Sequence, residues 1–325
     1  MTASSPLPFG IYVPSPTFFL PKQAAAYSAL SSPLDLEAQL QHTLILAKAG
    51  IHGVVLLGST GEAVHITVDE RKELLSYVRK GLDAAGYADF PIIAGTGTNS
   101  TVETIALLQQ AKDCGAVCGL VLAPSYFASA VTQEGLIEWY TLVADRSPIP
   151  IMIYYYPGVS NNLYIAPKTF EILAAHPNIV GTKLSHGNIS HHTILAQNPI
   201  IKANNFHVFS GLGQQLLPIM TIGAAGAIDA LAGIFPKTVV TLFNLSVAGK
   251  ISEAQKIQYL VSCAEEAVAE LGAVGVKEGV ARYLKLGDKE GGRPPLAGGL
   301  SGGDAVWDAK YKSAFDAVAK LESTL

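Results

Sequence analysis

Charge is scarce in this chain: lysine, arginine, aspartate and glutamate together make up only 15% of its 325 residues, and the net charge is −4. With a pI near 6.1, there is no basic footprint for nucleic acid or for an anionic membrane surface. A small molecule is the expected partner. Cysteine is equally sparse. Cys114, Cys118 and Cys263 are odd in number and lack CxxC spacing, which excludes a disulfide framework and a zinc knuckle and leaves reduced thiols. No apolar run reaches membrane-spanning length. The opening MTASSPLPFG has neither a basic segment nor a long apolar core, and the closing ESTL carries no targeting signal, so the expected location is the cytosol. Phosphate-binding loops are missing too. GSTGEA (58–63) has neither GxGxxG spacing nor a GK[ST] ending, and GLG (211–213) is a lone GxG.

What the chain has in quantity is apolar residues, 49% of the total, enough for a large core with no disordered segment. They fall into eight short runs: GIYV (10–13), GVVLLG (53–58), PIIAGTG (91–97), GLVLAP (119–124), PIMIYYYP (150–157), IVGTKLS (179–185), HVFSG (207–211) and AGAIDALAG (225–233). Helical patterns separate them. Asp35 is placed to cap a helix ending at Gly50, Thr67 with Glu70 and Ser100 with Glu103 fit capping boxes, and Gly115 suits a helix C-terminus. Strands apolar on both faces and joined by helices imply a parallel sheet. Eight units predict a (β/α)₈ barrel, a TIM barrel, over 1–235. The remainder, 236–325, reads as the last barrel helix and a helical extension, with Ser252 and Gln255 as another capping-box start and 287–304 as a long surface loop. The alternative is a doubly wound open sheet, which the missing phosphate loop disfavours.

Barrel chemistry sits at the carboxyl ends of the strands. There the sequence places Ser59 and Thr60, Tyr126, Tyr154 to Tyr156, Lys183, Ser210 and Gly211: one amine among hydroxyls. Desolvation makes a buried amine neutral and nucleophilic toward carbonyls, whereas a lysine merely ending a strand snorkels to solvent. A phenol beside it could relay protons or pack in the core. Alternation lets at most two of the three consecutive tyrosines point inward. Ser59, Thr60 and nearby backbone N–H groups suit a carboxylate, or form a plain glycine turn. Glu62 reads as a base or as a loop carboxylate bonded to backbone. His186, His191 and His192 lack zinc-site spacing and read as a solvated loop.

Taken together these residues resemble the dihydrodipicolinate synthase and N-acetylneuraminate lyase family of class I, Schiff-base aldolases. GIYVPSPTFF, GVVLLGSTGEAVHIT, PIIAGTGTNST, LVLAPSYFASAVTQEG, IMIYYYPGVSNN, IVGTKLS, VFSGLGQQLLP and GRPPL carry the likeness in order along nearly the whole chain. The resemblance implies Lys183 as the Schiff-base lysine, Tyr154 as the proton-relaying phenol, Ser59 in the place of the usual threonine, and Thr60 at the substrate carboxylate. It makes Tyr126 a relay residue reaching a neighbouring subunit's site, hence a homodimer or homotetramer, and sets Gly211 and Ile228 beside the bound 2-keto acid. Neither cofactor nor metal is implied, because the iminium withdraws the electrons. Two departures bear on substrate. Val159 stands where the synthases place an arginine for a second carboxylate, and Phe127 replaces an asparagine. KLSHGN resembles the fungal 2-keto-3-deoxy sugar-acid aldolases. The expectation is cleavage of such an acid to pyruvate and an aldehyde such as glyceraldehyde. The alternatives are dihydrodipicolinate synthase, 4-hydroxy-2-oxoglutarate aldolase, or a non-catalytic sugar-acid-binding regulator.

Overall fold

A computed structural model describes residues 7–28 and 30–325. The first six residues of the stretch read for a leader lie outside it. Eight parallel strands close into a barrel in sequence order: β1 (Gly10–Pro14), β2 (Gly53–Leu56), β3 (Ile92–Thr96), β4 (Cys118–Leu122), β5 (Ile151–Tyr155), β6 (Ile179–Leu184), β7 (His207–Ser210) and β8 (Gly226–Ile228). Each apolar run of the sequence supplies one strand. Helices α1 (Leu36–Lys48), α2 (Val68–Ala84), α3 (Thr101–Asp113), α4 (Gln133–Arg146), α5 (Pro167–Leu173), α6 (Ile189–Gln197), α7 (Pro199–Ala203), α8 (Leu216–Thr221) and α9 (Pro236–Val247) follow the strands around the outside.

Local signals start the helices where the sequence puts them. Asp35 accepts the Ala38 N–H at the head of α1, and Thr67 with Glu70 forms a complete capping box on α2. At α3 only half the box forms: Ser100 accepts from the Glu103 N–H, while the Glu103 carboxylate accepts from Thr98 Oγ1 at 2.6 Å. Beyond the barrel, α10 (Ile251–Leu271), α11 (Ala273–Gly279), α12 (Gly303–Lys310) and α13 (Lys312–Glu322) form the extension. Here the Ser252 expectation is corrected. Lys250 occupies the cap and α10 is already helical at Ile251, because the chain enters directly from the α9 turn and Ser252 falls inside the first turn.

Two buried layers result. Tyr12, Val55, Ile93, Leu120, Met152 and Phe209 fill the barrel, and a larger shell of aliphatic side chains lies between the strands and the helices. Strand β6 breaks simple alternation. Its pairing with β5 runs Ile151 to Ile179 and then Met152 to Gly181, so Val180 is an extra residue. Val180 therefore faces the interior, while the bulge resets the parity so that Lys183, three residues on, faces inward as well. Gly181 is needed beside it: a Cβ there would lie 2.4 Å from the His207 carbonyl oxygen on β7.

The 287–304 segment is a largely exposed surface loop, as read, but it is pinned in place. Arg293 is buried and donates to the Ser32 and His65 carbonyls and to Glu70, while Leu296 reaches the barrel mouth. Guanidinium and carboxylate satisfy each other out of water, which fastens the segment over the strand ends.

Candidate active site

The bulge in β6 and the pleat of β5 bring Lys183 and Tyr154 level as register partners. The lysine is buried, and its Nζ lies 4.6 Å from the centroid of the Tyr154 ring. Burial lowers the amine to about 7, with Asp229 partly opposing the shift; near neutral pH a large share is therefore free base. Snorkelling is excluded by that burial. Tyr155 points outward onto Phe170 and His186, whereas Tyr154 and Tyr156 share the inner side with rings 6.0 Å apart.

Ser59 Oγ lies 3.3 Å from the Tyr154 hydroxyl, and the hydroxyl of Ser185, two residues past Lys183, lies beside it as well. Burial raises the phenol, and these two hydroxyls pull it back in part. The GSTGE turn that carries Ser59 is rigidly built. Leu57 and Glu62 take left-handed backbone angles, φ 61° and 50°, a strained choice for side chains of that size. Thr17 Oγ1 donates to the Gly61 carbonyl at 2.6 Å, and Glu62 is held by Lys277 of α11 and by His65 Nδ1 at 2.9 Å. Glu62 is thus neither a base nor a backbone-bonded carboxylate; it anchors the turn through an ion pair from 215 residues away.

Lys183, Ser59, Thr60, Tyr154, Ser185 and Gly211 line one cavity of about 230 Å³. A second, of about 270 Å³, adjoins it through Ser59, Tyr154, Val159 and Leu296. Together they reach the size usual for a small-molecule site. Gly211 must be glycine, since a Cβ would sit 2.0 Å from Ser185 Oγ and 3.0 Å from Lys183 Cε. Val159 contributes no charge, and Lys183 is the only lysine or arginine among the described residues lining either cavity, with His65, paired to Glu62, on the wall of the second.

The structure brings Lys183, Tyr154, Ser59, Thr60 and Gly211 together around one cavity, whose lining includes neither Tyr126 nor Ile228, the latter expected there through its backbone. Ile228 is fully buried with its side chain in the barrel interior. Tyr126 is 74% exposed, packs edge-on against Phe127 at 4.9 Å and takes no part in its own chain's cavity. The histidine reading is corrected: His191 and His192 are buried on α6, and His186 stacks on His191 at 5.1 Å, because α6 turns these rings toward Tyr155 and Phe170. Sequence reasoning missed Ser185, Asp229 and Glu265. Period-two spacing from Lys183 marks the first, and a lone carboxylate in AGAIDALAG marks the second; Glu265, on a long helix rich in acids, carries no local signal.

Comparison with known proteins agrees with this geometry. Residues 28–298 match the dihydrodipicolinate synthetase family. A protein from Emericella nidulans named as a mitochondrial 4-hydroxy-2-oxoglutarate aldolase is 37% identical over 322 residues, covering 99% of each chain. An L-threo-3-deoxy-hexylosonate aldolase from Hypocrea jecorina is 34% identical over 286 residues, covering 86% of this chain and 88% of its own. Among solved structures, a dihydrodipicolinate synthase family protein from Coccidioides immitis superposes with a TM-score of 0.83 at 29% identity over 100% of both chains. The Emericella name, which is that of a mitochondrial protein, overturns the cytosolic expectation, which rested on the look of the two chain ends and the lack of a membrane-spanning run.

Proposed function

This chain belongs to the dihydrodipicolinate synthetase family, class I pyruvate aldolases that are lyases acting through a lysine Schiff base, and we propose that its substrate is a 2-keto-3-deoxy sugar acid. Cleavage yields pyruvate and a neutral hydroxyaldehyde such as glyceraldehyde. In this reading the free Lys183 amine adds to the C2 carbonyl, and Tyr154 gives its proton to the carbinolamine hydroxyl, which leaves as water to give an iminium. The phenolate so formed takes the proton of the C4 hydroxyl, and the C3–C4 electron pair moves into the iminium as the aldehyde leaves. The resulting enamine is protonated at C3, and water releases pyruvate and the amine. Ser59, and Tyr126 from a neighbouring copy, complete the proton relay; Thr60 and the backbone at Gly211 and Ile228 receive the keto acid. A homodimer or homotetramer, in the mitochondrion, is the setting we assign.

One observation carries the substrate choice: apart from Lys183 itself, the described cavity lining holds no lysine or arginine. Val159 and Leu296 face the space beyond the amine, so a second carboxylate would be desolvated without a partner. A hydroxylated aldehyde has no such cost. The competing reading, 4-hydroxy-2-oxoglutarate cleavage, is favoured by the full-length similarity to the Emericella aldolase. Kinetics on a 2-keto-3-deoxy hexonate and on 4-hydroxy-2-oxoglutarate, run side by side with pyruvate as the common readout, separate them. A higher kcat/KM for the sugar acid is expected; a higher value for the dicarboxylate transfers the assignment to it.

A further inference from the structure

Next to Lys183 stands a pair of acids that neither the proton relay nor the keto-acid contacts use. Asp229 follows β8 and is fully buried. Its N–H donates to the Tyr12 carbonyl at 2.9 Å, and its Oδ2 accepts the Ala232 N–H at 3.0 Å. Glu265 comes from α10, is only 2% exposed, and forms part of the wall of the Lys183 cavity. The two carboxyls lie against each other. Asp229 Oδ1 and Glu265 Oε1 are buried without a hydrogen-bond partner, and the Gly213 and Leu231 backbone lies beside the pair. Ionised carboxylates only accept. A contact between two of them, out of water, is satisfied when one proton lies between them. Room for the contact is reserved: a Cβ on Gly213 would fall 2.7 Å from Asp229 Oδ1.

The surroundings say how much charge the pair carries. Asp229 has a backbone N–H donor and the Lys183 amine to favour its charge, so burial raises it against those opposing contacts. Glu265 is raised well above the usual carboxylate range by burial and by negative Asp229, with Glu266 adding in the same direction. Both carboxyls are raised, Glu265 the further, so the pair carries one negative charge rather than two. Among the described residues, the ionisable groups facing the Lys183 amine are Tyr154 and Tyr156 from β5 and its edge, Asp229 after β8 and Glu265 from α10. Those facing the pair are Lys183 and, along α10, Glu266.

We propose that Asp229 and Glu265 share one proton and act as positioning residues, a single fixed negative charge that sets the pH at which Lys183 is free to attack a keto acid. Two charges would hold the amine protonated. No charge would leave the protonated iminium without a counter-charge in a dry site and favour its loss of the proton to a neutral, less electrophilic imine. One charge allows both the free amine and the cation that replaces it. This rests on the reading of Lys183 as the Schiff-base lysine.

The test is the rate at which pyruvate and sodium cyanoborohydride label Lys183, followed by peptide mass spectrometry across pH in parallel for the unmodified protein, Asp229→Asn and Glu265→Gln. For the unmodified protein the half-maximal rate is expected near pH 7, following the amine. Asp229→Asn, which removes the charge at constant shape, should lower that midpoint by about one pH unit or more. Glu265→Gln keeps a neutral donor for Asp229 and should move it by less than half as much. An unmoved midpoint in Asp229→Asn, or a shift in Glu265→Gln as large as the aspartate variant's, overturns the inference while labelling itself keeps the Schiff-base assignment intact. Absence of labelling at every pH in the unmodified protein overturns that assignment first. Should Asp229→Asn fail to fold, Asp229→Ser removes the same charge, keeps an acceptor for the Ala232 N–H and carries the same expectation.

Discussion

Lys183 and Tyr154 are register partners across the β5–β6 pair, and the amine of one lies 4.6 Å from the ring centroid of the other. A phenol so placed can pass protons to every intermediate formed at the amine without leaving its strand. Its hydroxyl touches Ser59 and Ser185 and carries no packing of its own. Tyr154→Phe should therefore lower kcat by ~10²-fold or more while keeping the ring in the core. Steady-state kinetics with a thermal melt decide it: near-normal turnover moves the relay to Tyr156.

Keeping Lys183 buried destabilises the fold when the amine is charged. Its folded value, about 7, lies below the usual 10.5, so between those values the unfolded chain binds more protons and stability rises with pH. At or below about pH 7 the penalty is fully present. Lys183→Met should raise the melting temperature, by more near pH 6 than near pH 9, while abolishing turnover. Melts at both pH values check the sign; an equal gain at each would mean that the amine titrates alike in both states.

Gly211 leaves no space for a methyl group beside Ser185 Oγ and Lys183 Cε. Gly211→Ala should displace the lysine and cost at least ~10-fold in kcat/KM with the barrel intact, since small misplacement of a reacting group is expensive. Unchanged kinetics would show that the neighbouring side chains move aside freely.

The ion pair between Lys277 and Glu62 fastens the extension to the turn that presents Ser59. Both partners are buried, so Lys277→Met leaves an uncompensated carboxylate and should destabilise by about 3–5 kcal/mol. Adding Glu62→Gln should recover much of that loss. Urea titrations of the single and double variants measure the coupling, and additive losses would deny it.

Tyr126 is exposed beside Phe127 at a strand end, outside its own chain's cavity. If it serves a neighbouring copy, mixing Tyr126→Phe with Lys183→Ala subunits should restore part of the activity that each variant lacks. No recovery under verified subunit exchange would remove Tyr126 from the relay.

The eight apolar runs, the Asp35 and Thr67 caps and the amine at the end of IVGTKLS are local patterns, and each survives into the structure because backbone pairing and burial act on neighbouring residues. They were enough to read the barrel, Lys183, Tyr154 and the Ser59–Thr60 turn. Alternation also reads Tyr155 as outward once Tyr154 is inward. What only the tertiary structure decided depends on partners far apart in sequence. Strict alternation from Val180 would turn Lys183 outward, and only the pairing with β5 reveals the extra residue that returns it. Glu62 became an anchor because α11 delivers Lys277 to it, and 287–304 became a cover because Arg293 finds Glu70. Glu265 is held above the usual carboxylate range by burial and by Asp229, brought to it by the closing of the barrel against α10. Charge states in a dry site are set by whichever group lies alongside, and sequence order does not record that neighbour.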